Sequence, residues 1–373
     1  MQHIQRLRLT HFRNYSDLSL GFNPHINCIT GKNGAGKTNI LDAIHYLALA
    51  RGIRSAQDRY ALKEGEDFFF IEGLWNDEGF KQLVQCNYTK SKGKKLLLNR
   101  QAIPKLSEHI GKLPLVSILP SDTELINGPS ALRRRFMDML ISQYNATYLQ
   151  SLITYNKAIG QRNALLKQFA EIRSVDIEQL ELWNYQLIPA GMYIRKTREA
   201  FVKEYAPIFA QYFQKIIPQT EVPTLQYKSL VKENTQSAWE DLLKQYEARD
   251  CANLYTYPGI HRDDLGFMIN ENSVRNYGSQ GQQKTFLISL KLAQYHLLAQ
   301  QKQKAPILLL DDIFDKLDEY RLAHIAKMID EEVKGQVFIT DTSHQRLQNI
   351  FQTTHTSKIQ FFHVDAGVCK PLK

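Results

Sequence analysis

Residues 26–38 read INCITGKNGAGKT. A short apolar run, Ile26 to Thr30, passes directly into a glycine-rich loop. A helical pattern then starts, with Ile40, Leu41, Ile44, Leu47 and Ala48 on one face. Gly31 to Thr38 matches G-x-x-x-x-G-K-[ST] in full, in the strand–loop–helix setting that phosphate chemistry needs. Glycines let successive backbone N–H groups close around phosphate oxygens, and the helix N-terminus adds positive potential. Gly31, Lys32, Asn33, Gly34, Ala35 and Gly36 are therefore the expected cradle. Lys37 is expected to reach the β- and γ-phosphates, and Thr38 to ligate Mg²⁺. ATP and Mg²⁺ are the expected ligands. A glycine-rich turn with an incidental lysine would need neither the strand before it nor the helix after it.

A second stretch supplies acids. ILLLDD, Ile307 to Asp312, is an apolar strand ending in carboxylates, the Walker B arrangement. Asp311 would hold Mg²⁺. Asp312 would orient or deprotonate the attacking water. Alone this is weak evidence, because aspartate is a common turn former at strand ends. Beside the phosphate loop it becomes strong.

Between the two lies YGSQGQQKTFLISLKLAQ, starting at Tyr277. Ser279 and Gln282 fit a capping box, and Phe286, Leu290, Ala293 and Leu297 follow at helical spacing. That accounts for Ser279 but not for Gly281, which weakens a helix by roughly 1 kcal/mol relative to Ala. SQGQQ is similar to the Ser-x-Gly signature of ABC-type ATPases, and that resemblance implies a helix N-terminus presenting the Ser279 hydroxyl and the Gly281 N–H to a γ-phosphate, which a side chain at 281 would hold off. Asp312, Lys37 and Ser279 are thus the expected catalytic residues, and Ser279 and Gly281 join the nucleotide-binding set.

Composition sets the frame. The 373 residues favour two domains, and 43% hydrophobic residues can bury a large core. Lys plus Arg is 47 against 38 for Asp plus Glu, a formal charge of +9 that suits an anionic partner such as nucleic acid. Cys28, Cys86, Cys251 and Cys369 form no CxxC pair, so neither a zinc site nor a disulfide framework is indicated. The N-terminus lacks the apolar core of a secretory signal, and there is no run of about 18 apolar residues. A cytoplasmic protein without a membrane span is the expectation.

The first part of the chain is rich in strand. LRLT and LSLGF flank HFRNYSD as a hairpin-like pair, and FFFIEGLW, KQLVQCNYT and KKLLLN continue an antiparallel meander. Beyond Pro120 long helical patterns take over. One runs from Arg133 to Phe169. Another starts near Ile177 and is expected to break at Pro189, and a polar turn from Arg173 to Asp176 joins them into a helical hairpin. After a turn-rich zone, Tyr255 to Tyr277, helices alternate with ILLL, QVFIT and IQFFHV, as in a parallel αβ layer. The fold class expected is α/β: a P-loop ATPase head, with a mixed sheet and an antiparallel meander, interrupted by an inserted α-helical arm. The boundaries read as 1–115 and 253–373 for the head and 116–252 for the arm.

These motifs resemble those of ABC-type ATPases of the SMC kind. SQGQQ is similar to the Ser-x-Gly signature that precedes Walker B, and DKLD, Asp315 to Asp318, to the D-loop. Within that group the chain resembles the RecF family. The carriers are LRLTHFRNY, GPSALRRRFMD, PGIHRDDL, YGSQGQQK and LLLDDIFDKLD, spread from Leu7 to Asp318. Two details depart from the family pattern: Pro129 precedes Ser130 instead of following it, and Ser121 stands where an acid is usual. No glutamine occupies the entry to the helical lobe, at LVSILPSD. Thr340, or His344 a little later, would serve as the polar sensor after the next strand.

The resemblance implies an ATP-bound homodimer in which the signature of one chain faces the nucleotide of the other. It implies a weak, DNA-stimulated ATPase of recombinational repair and replication-fork maintenance. Such a protein binds double-stranded DNA and single/double-strand junctions, works with RecR and RecO, and supports recombinase loading at gaps. Arg13 in FRNY would reach the nucleotide phosphates, the alternative being a surface arginine on a turn. Arg133 to Arg135 and KSKGKK (Lys90 to Lys95) are candidates for DNA phosphate contact, against internal ion pairing for the first and a solvated hairpin tip for the second. His261 to Asp264 read as an ion-pair network that positions the signature loop. A nucleotide-binding subunit of an ABC transporter, or a small-molecule kinase, are the competing classes. The first lacks the RecF-type motifs, and the second predicts no signature.

Overall fold

The computed structural model describes residues 1–53, 55, 57–172, 174–217, 221–314, 319–351 and 358–372. The chain divides into two compact units. The first is Met1–Asp122, Tyr212–Pro218 and Ile288–Lys373; the second is Thr123–Gln211 and Gln219–Leu287. Residues 253–287, placed in the head from sequence, group with the second unit. Their strand pairs locally with 223–228 and their ion pairs run to the helices, and neither partnership is visible as composition.

The first unit opens with β1 (Gln2–Phe12), β2 (Tyr15–Gly21), β3 (Ile26–Thr30) and α1 (Lys37–Leu49). Next come β4 (Phe68–Asp77), β5 (Phe80–Thr89), β6 (Gly93–Leu98), β7 (Gln101–Ala102) and β8 (Leu115–Ile118). One sheet has the order β2-β1-β4-β5-β6-β7, every neighbour antiparallel, which is the expected meander. The β1–β2 connection is tighter than the sequence suggested. The strands run through to Phe12 and Tyr15, leaving Arg13 and Asn14 as a two-residue turn with Arg13 at φ 55°.

The second unit holds α2 (Glu124–Asn127), α3 (Ser130–Tyr144), α4 (Ala146–Ile172), most of α5 (Ile177–Ile216), β9 (Pro223–Lys228), α6 (Gln236–Asn253), β10 (Asp264–Ile269), β11 (Asn272–Ser273) and α7 (Val274–Tyr277). The pattern from Arg133 to Phe169 is two helices. Asn145 divides them, its side chain accepting from Tyr148 N at 2.8 Å as a helix start requires. α5 does not break at Pro189 but continues through it and through Pro207. Packing compensates for the missing N–H: Leu187, Ile188 and Ala190 are buried, and Gly191 leaves room for the Trp239 ring, which a Cβ would approach to 2.5 Å.

The chain returns to the first unit partway along α8 (Gln280–Lys302), then forms β12 (Ile307–Asp311), α9 (Glu319–Glu332), β13 (Val337–Asp341), α10 (His344–Ile350), β14 (Ile359–Asp365) and β15 (Val368–Pro371). The second sheet of this unit has the order β15-β14-β3-β13-β12-β8, parallel except at β15. β3, β12 and β13 are buried at every residue, as strands covered on both faces must be. α1 is also buried nearly all round rather than along one stripe, because it contacts strands of both sheets. Gln336 links the sheets: its side chain accepts from Ile4 N at 2.8 Å and donates to Ile4 O at 2.9 Å and Asn23 O at 2.8 Å. These bonds satisfy backbone groups where the β1–β4 register shifts, between Ile4 and Arg6.

A polar network ties the second unit together. Arg198, 1% exposed, donates to Asp138 at 2.8 Å, to Asp263 at 3.1 Å and to Ile260 O at 2.9 Å. Tyr148 and Tyr227 bond the same two carboxylates. Arg162 donates to the fully buried Asp250 at 2.6 Å. His261 Nε2 lies 3.0 Å from Thr256 O, so it carries the proton, and Nδ1 accepts from Tyr155 Oη at 2.8 Å. Burial, despite the Thr256 bond, pushes this imidazole down to about 4. The PGIHRDDL segment is thus a structural junction of its unit, buried at Ile260 and Asp263 and exposed at Arg262.

Candidate nucleotide-binding site

The carboxyl ends of three adjacent parallel strands assemble the site. β3 leads into Gly31–Thr38, β12 ends at Asp311, and β13, lying between them, ends at Thr340 and Asp341. Ligands of open parallel sheets gather at such an edge, because loops and helix N-termini converge there. Thr38 Oγ1 donates to Asp311, 2.8 Å from Oδ1 and 3.0 Å from Oδ2. Thr340 Oγ1 donates to Asp311 Oδ1 at 2.7 Å. The hydroxyl and the carboxylate expected to share a metal therefore already touch, with Asp311 held from a second side.

Asp312 follows in a left-handed conformation, φ 50°. That costs a non-glycine residue roughly 1–2 kcal/mol. Its N–H is offered two acceptors on one residue, Thr340 O at 3.2 Å and Thr340 Oγ1 at 3.1 Å. Strain held in place by neighbouring bonds at a candidate base points to selection for orientation.

Lys37 is buried, its Nζ bonded to the carbonyls of Gly31 at 2.7 Å and Lys32 at 2.9 Å. Burial lowers its pKa, and the nearby carboxylates of Asp312, Asp311 and Asp341 act in the opposite direction. Two glycines are required by close approach. At Gly31 (φ 152°) a Cβ would lie 2.2 Å from Val364 O, and at Gly36 (φ 119°) it would lie 2.6 Å from Asn14 Nδ2. The loop is thereby pressed between β14 and the β1–β2 turn, its backbone free to line a phosphate. A cradle of this shape, a buried ammonium bonded to carbonyls and an acid beside a hydroxyl fit a Mg²⁺–nucleotide. Lys37 and the loop N–H groups would hold phosphate, and Thr38 and Asp311 the metal.

Sequence reading missed what holds the loop. Asn14 donates to Ala35 O at 2.9 Å and accepts from Asn39 Nδ2 at 2.7 Å, and Tyr15 Oη donates to Gly36 O at 3.1 Å. Gly367 N, in the β14–β15 turn, donates to Ala35 O at 3.3 Å. The FRNY motif was visible, but its partners lie about twenty residues along and pattern does not name them. Its arginine points elsewhere. Arg13 Nε and Nη2 reach Asp42 Oδ2 at 2.9 and 2.7 Å, and Nη1 donates to Tyr60 O, so Arg13 balances a buried carboxylate of α1.

The signature belongs to the other unit. Its capping box is reciprocal: Gln282 N donates to Ser279 Oγ at 3.2 Å, and Ser279 N to Gln282 Oε1 at 2.8 Å. Ser279 is exposed, Gly281 half-buried in the first turn of α8, and Tyr277 is 75% exposed. The D-loop residues Asp315 to Asp318 lie outside the described residues.

Among the DNA-contact candidates, Arg133 is internal, paired with Asp264 at 2.7 and 3.0 Å and bonded to Leu125 O and Gly128 O. Arg134 donates to Asp263 O at 2.6 Å, while Arg135 is exposed. In KSKGKK, Lys94 reaches Asp58 at 3.0 Å and Ala50 O at 2.6 Å; Lys92 is exposed at the β5–β6 turn and Lys95 on β6. Cys28 is fully buried in β3, as its apolar surroundings suggested.

Fold and site together define a head of the ABC ATPase type. A family model described as the RecF/RecN/SMC N terminal domain matches residues 3–364. The chain is 43% identical over 353 residues to the DNA replication and repair protein RecF of Flavobacterium johnsoniae, covering 95% of this chain and 98% of that one. It is 38% identical to that of Bacteroides thetaiotaomicron, covering 98% and 97%. A solved structure of the recombination mediator protein RecF with ATP superposes with a TM-score of 0.89 at 27% identity, over 100% of this chain and 98% of that one. An Smc head from Pyrococcus furiosus shares the fold, with a TM-score of 0.57 at 16% identity. The chain belongs to the RecF family. Whole-length likeness to RecF sets aside the transporter-subunit reading, and no described helix is long and apolar enough to cross a membrane.

Proposed function

We propose that this chain is a cytoplasmic, ATP-dependent DNA-binding protein of recombinational repair and replication-fork maintenance. Its ATPase would be weak, stimulated by DNA and serve binding. The observation that carries the reading is the Thr38–Asp311–Thr340 cluster at the mouth of a complete phosphate loop. The loop N–H groups and Lys37 bind the β- and γ-phosphates. Thr38 and Asp311 hold Mg²⁺, which neutralises phosphate charge when bound. Asp312 orients the attacking water and accepts its proton.

Ser279 and Gly281 act on the nucleotide of a second copy. Ser279 is exposed at a capped helix N-terminus, which suits an anion arriving from outside the chain. ATP therefore joins a homodimer, and hydrolysis releases it. Double-stranded DNA and single/double-strand junctions are the proposed ligands, with Lys92, Lys95 and Arg135 available for phosphate contact. RecR and RecO are the proposed partners in loading recombinase at gaps, in line with the RecFOR pathway named for the RecF structures.

Sedimentation with and without ATP tests the reading. Wild type dimerises with ATP, Lys37→Met does not, and Asp312→Asn dimerises and stays dimeric. Ser279→Arg binds nucleotide as a monomer. ATP-driven dimerisation of Ser279→Arg at the wild-type level removes the trans role, and turnover indifferent to duplex DNA removes the DNA-gated reading.

A further inference from the structure

The second unit carries a groove that the nucleotide chemistry does not use. It lies between α5 and α6, has a volume of about 600 Å³, and runs from Ile177 to Pro189 on one helix and from Gln236 to Glu247 on the other. At 1.5 Å per residue each wall is about 17 Å long, enough for about three turns of a third helix. The base is firm: Leu180 is 1% exposed and packs with Leu166 and Phe169. Apolar surface is nevertheless left open, with Tyr185 75% and Ile177 47% exposed on the wall and Leu182 65% exposed beside it. Large apolar side chains grouped on one short helical segment mark an interaction surface more often than scattered ones do.

Charge selects the occupant. Glu181, Glu240, Asp241 and Glu247 line the groove, and Lys244 is the lining residue of opposite sign. The chain as a whole has a formal charge of +9, so this acidity runs against its own balance. Four carboxylates repel a phosphate backbone. They attract lysine and arginine, while the apolar wall requires an apolar stripe between those charges. We propose that this groove docks a basic amphipathic helix of another protein, with its apolar stripe on Ile177 and Tyr185 and its cations on the acidic rim. The inference stands apart from the nucleotide reading, since none of its residues belongs to that site.

Fluorescence anisotropy on the full chain tests it, using a labelled helical peptide of leucine and lysine at amphipathic spacing. Binding is expected to saturate, to weaken about tenfold or more in Tyr185→Ala and in Glu240→Lys/Asp241→Lys, and to fail for the same peptide with glutamate in place of lysine. Far-UV circular dichroism and the urea unfolding transition of these variants stay at the wild-type level, which shows that the helical unit carrying the groove folds. Variants that bind the peptide as wild type does, or equal binding of the lysine and glutamate peptides, overturn the proposal. So does binding of labelled duplex DNA, or a peptide-free self-association, that is lost in Tyr185→Ala, which would assign the groove to nucleic acid or to a second copy.

Discussion

Thr340→Val removes one hydroxyl and keeps the shape of the side chain. In the structure that hydroxyl donates to Asp311 Oδ1 at 2.7 Å and accepts from Asp312 N at 3.1 Å. Thr340 is fully buried, so water cannot take its place. A hydrogen bond to a charged group is worth roughly 1.5–3 kcal/mol, and its loss frees Asp311 on one side. The remaining support is Thr38, itself an expected metal ligand. Loss of a group that orients a metal ligand typically weakens metal binding about 10- to 100-fold. The expected result is a rise of that size in the Mg²⁺ concentration that half-saturates ATP-dependent dimerisation. Asp312 keeps its bond to Thr340 O, so the fold loses little beyond the Asp311 bond itself, about 1.5–3 kcal/mol. The assay is a Mg²⁺ titration of sedimentation or of fluorescent-nucleotide binding, with Thr340→Ser as the variant that restores the hydroxyl. A half-saturating concentration within about twofold of wild type in a folded Thr340→Val protein would refute the placement of Thr340 as the brace of Asp311.

Asn14→Ala removes the bonds to Ala35 O and Asn39 and should weaken ATP binding about tenfold without a direct contact to phosphate, as read by equilibrium titration; unchanged affinity would mean that the loop holds its shape alone. Gln336→Leu removes the side-chain partner of Ile4 N and Ile4 O, while Asn23 O keeps its bond from Asn27 Nδ2, and should lower unfolding stability by about 2–4 kcal/mol in a urea titration; a loss under about 1 kcal/mol would contradict the linkage of the sheets. His261 stays neutral in the fold down to about 4, whereas the unfolded chain takes up its proton near 6.5. Its contribution is therefore complete above about pH 6.5 and is lost as pH falls toward 4, by about 2 kcal/mol once its part-exposed edge is allowed for. His261→Gln should flatten that part of the stability–pH curve, and an unaltered slope between pH 7 and 5 would count against it.

Local chemistry was legible in the chain where the physics is local. A phosphate loop is its own backbone geometry, so GKNGAGKT announced itself. The box at Ser279 and Gln282 depends on residues three apart, and the alternating strands of the meander depend on a period of two. Asp311 could be paired with Thr38 because both belong to motifs with a common ligand. What holds those motifs was not legible. Asn14 and Gly367 clamp Ala35, and Thr340 braces Asp311, through contacts across strands whose order is set by the whole sheet. Pro189 forecast a break in α5 that the burial of its neighbours Leu187, Ile188 and Ala190, and the packing of Gly191 on Trp239, overrode. Arg13 could be placed on a turn from sequence, but only the burial of Asp42 decided what it neutralises. The sequence by itself determined which chemistry this protein carries, because phosphate binding is written in consecutive residues. Tertiary structure decided how rigidly that chemistry is held and which charges are spent inside the fold, because both depend on neighbours that only folding brings together.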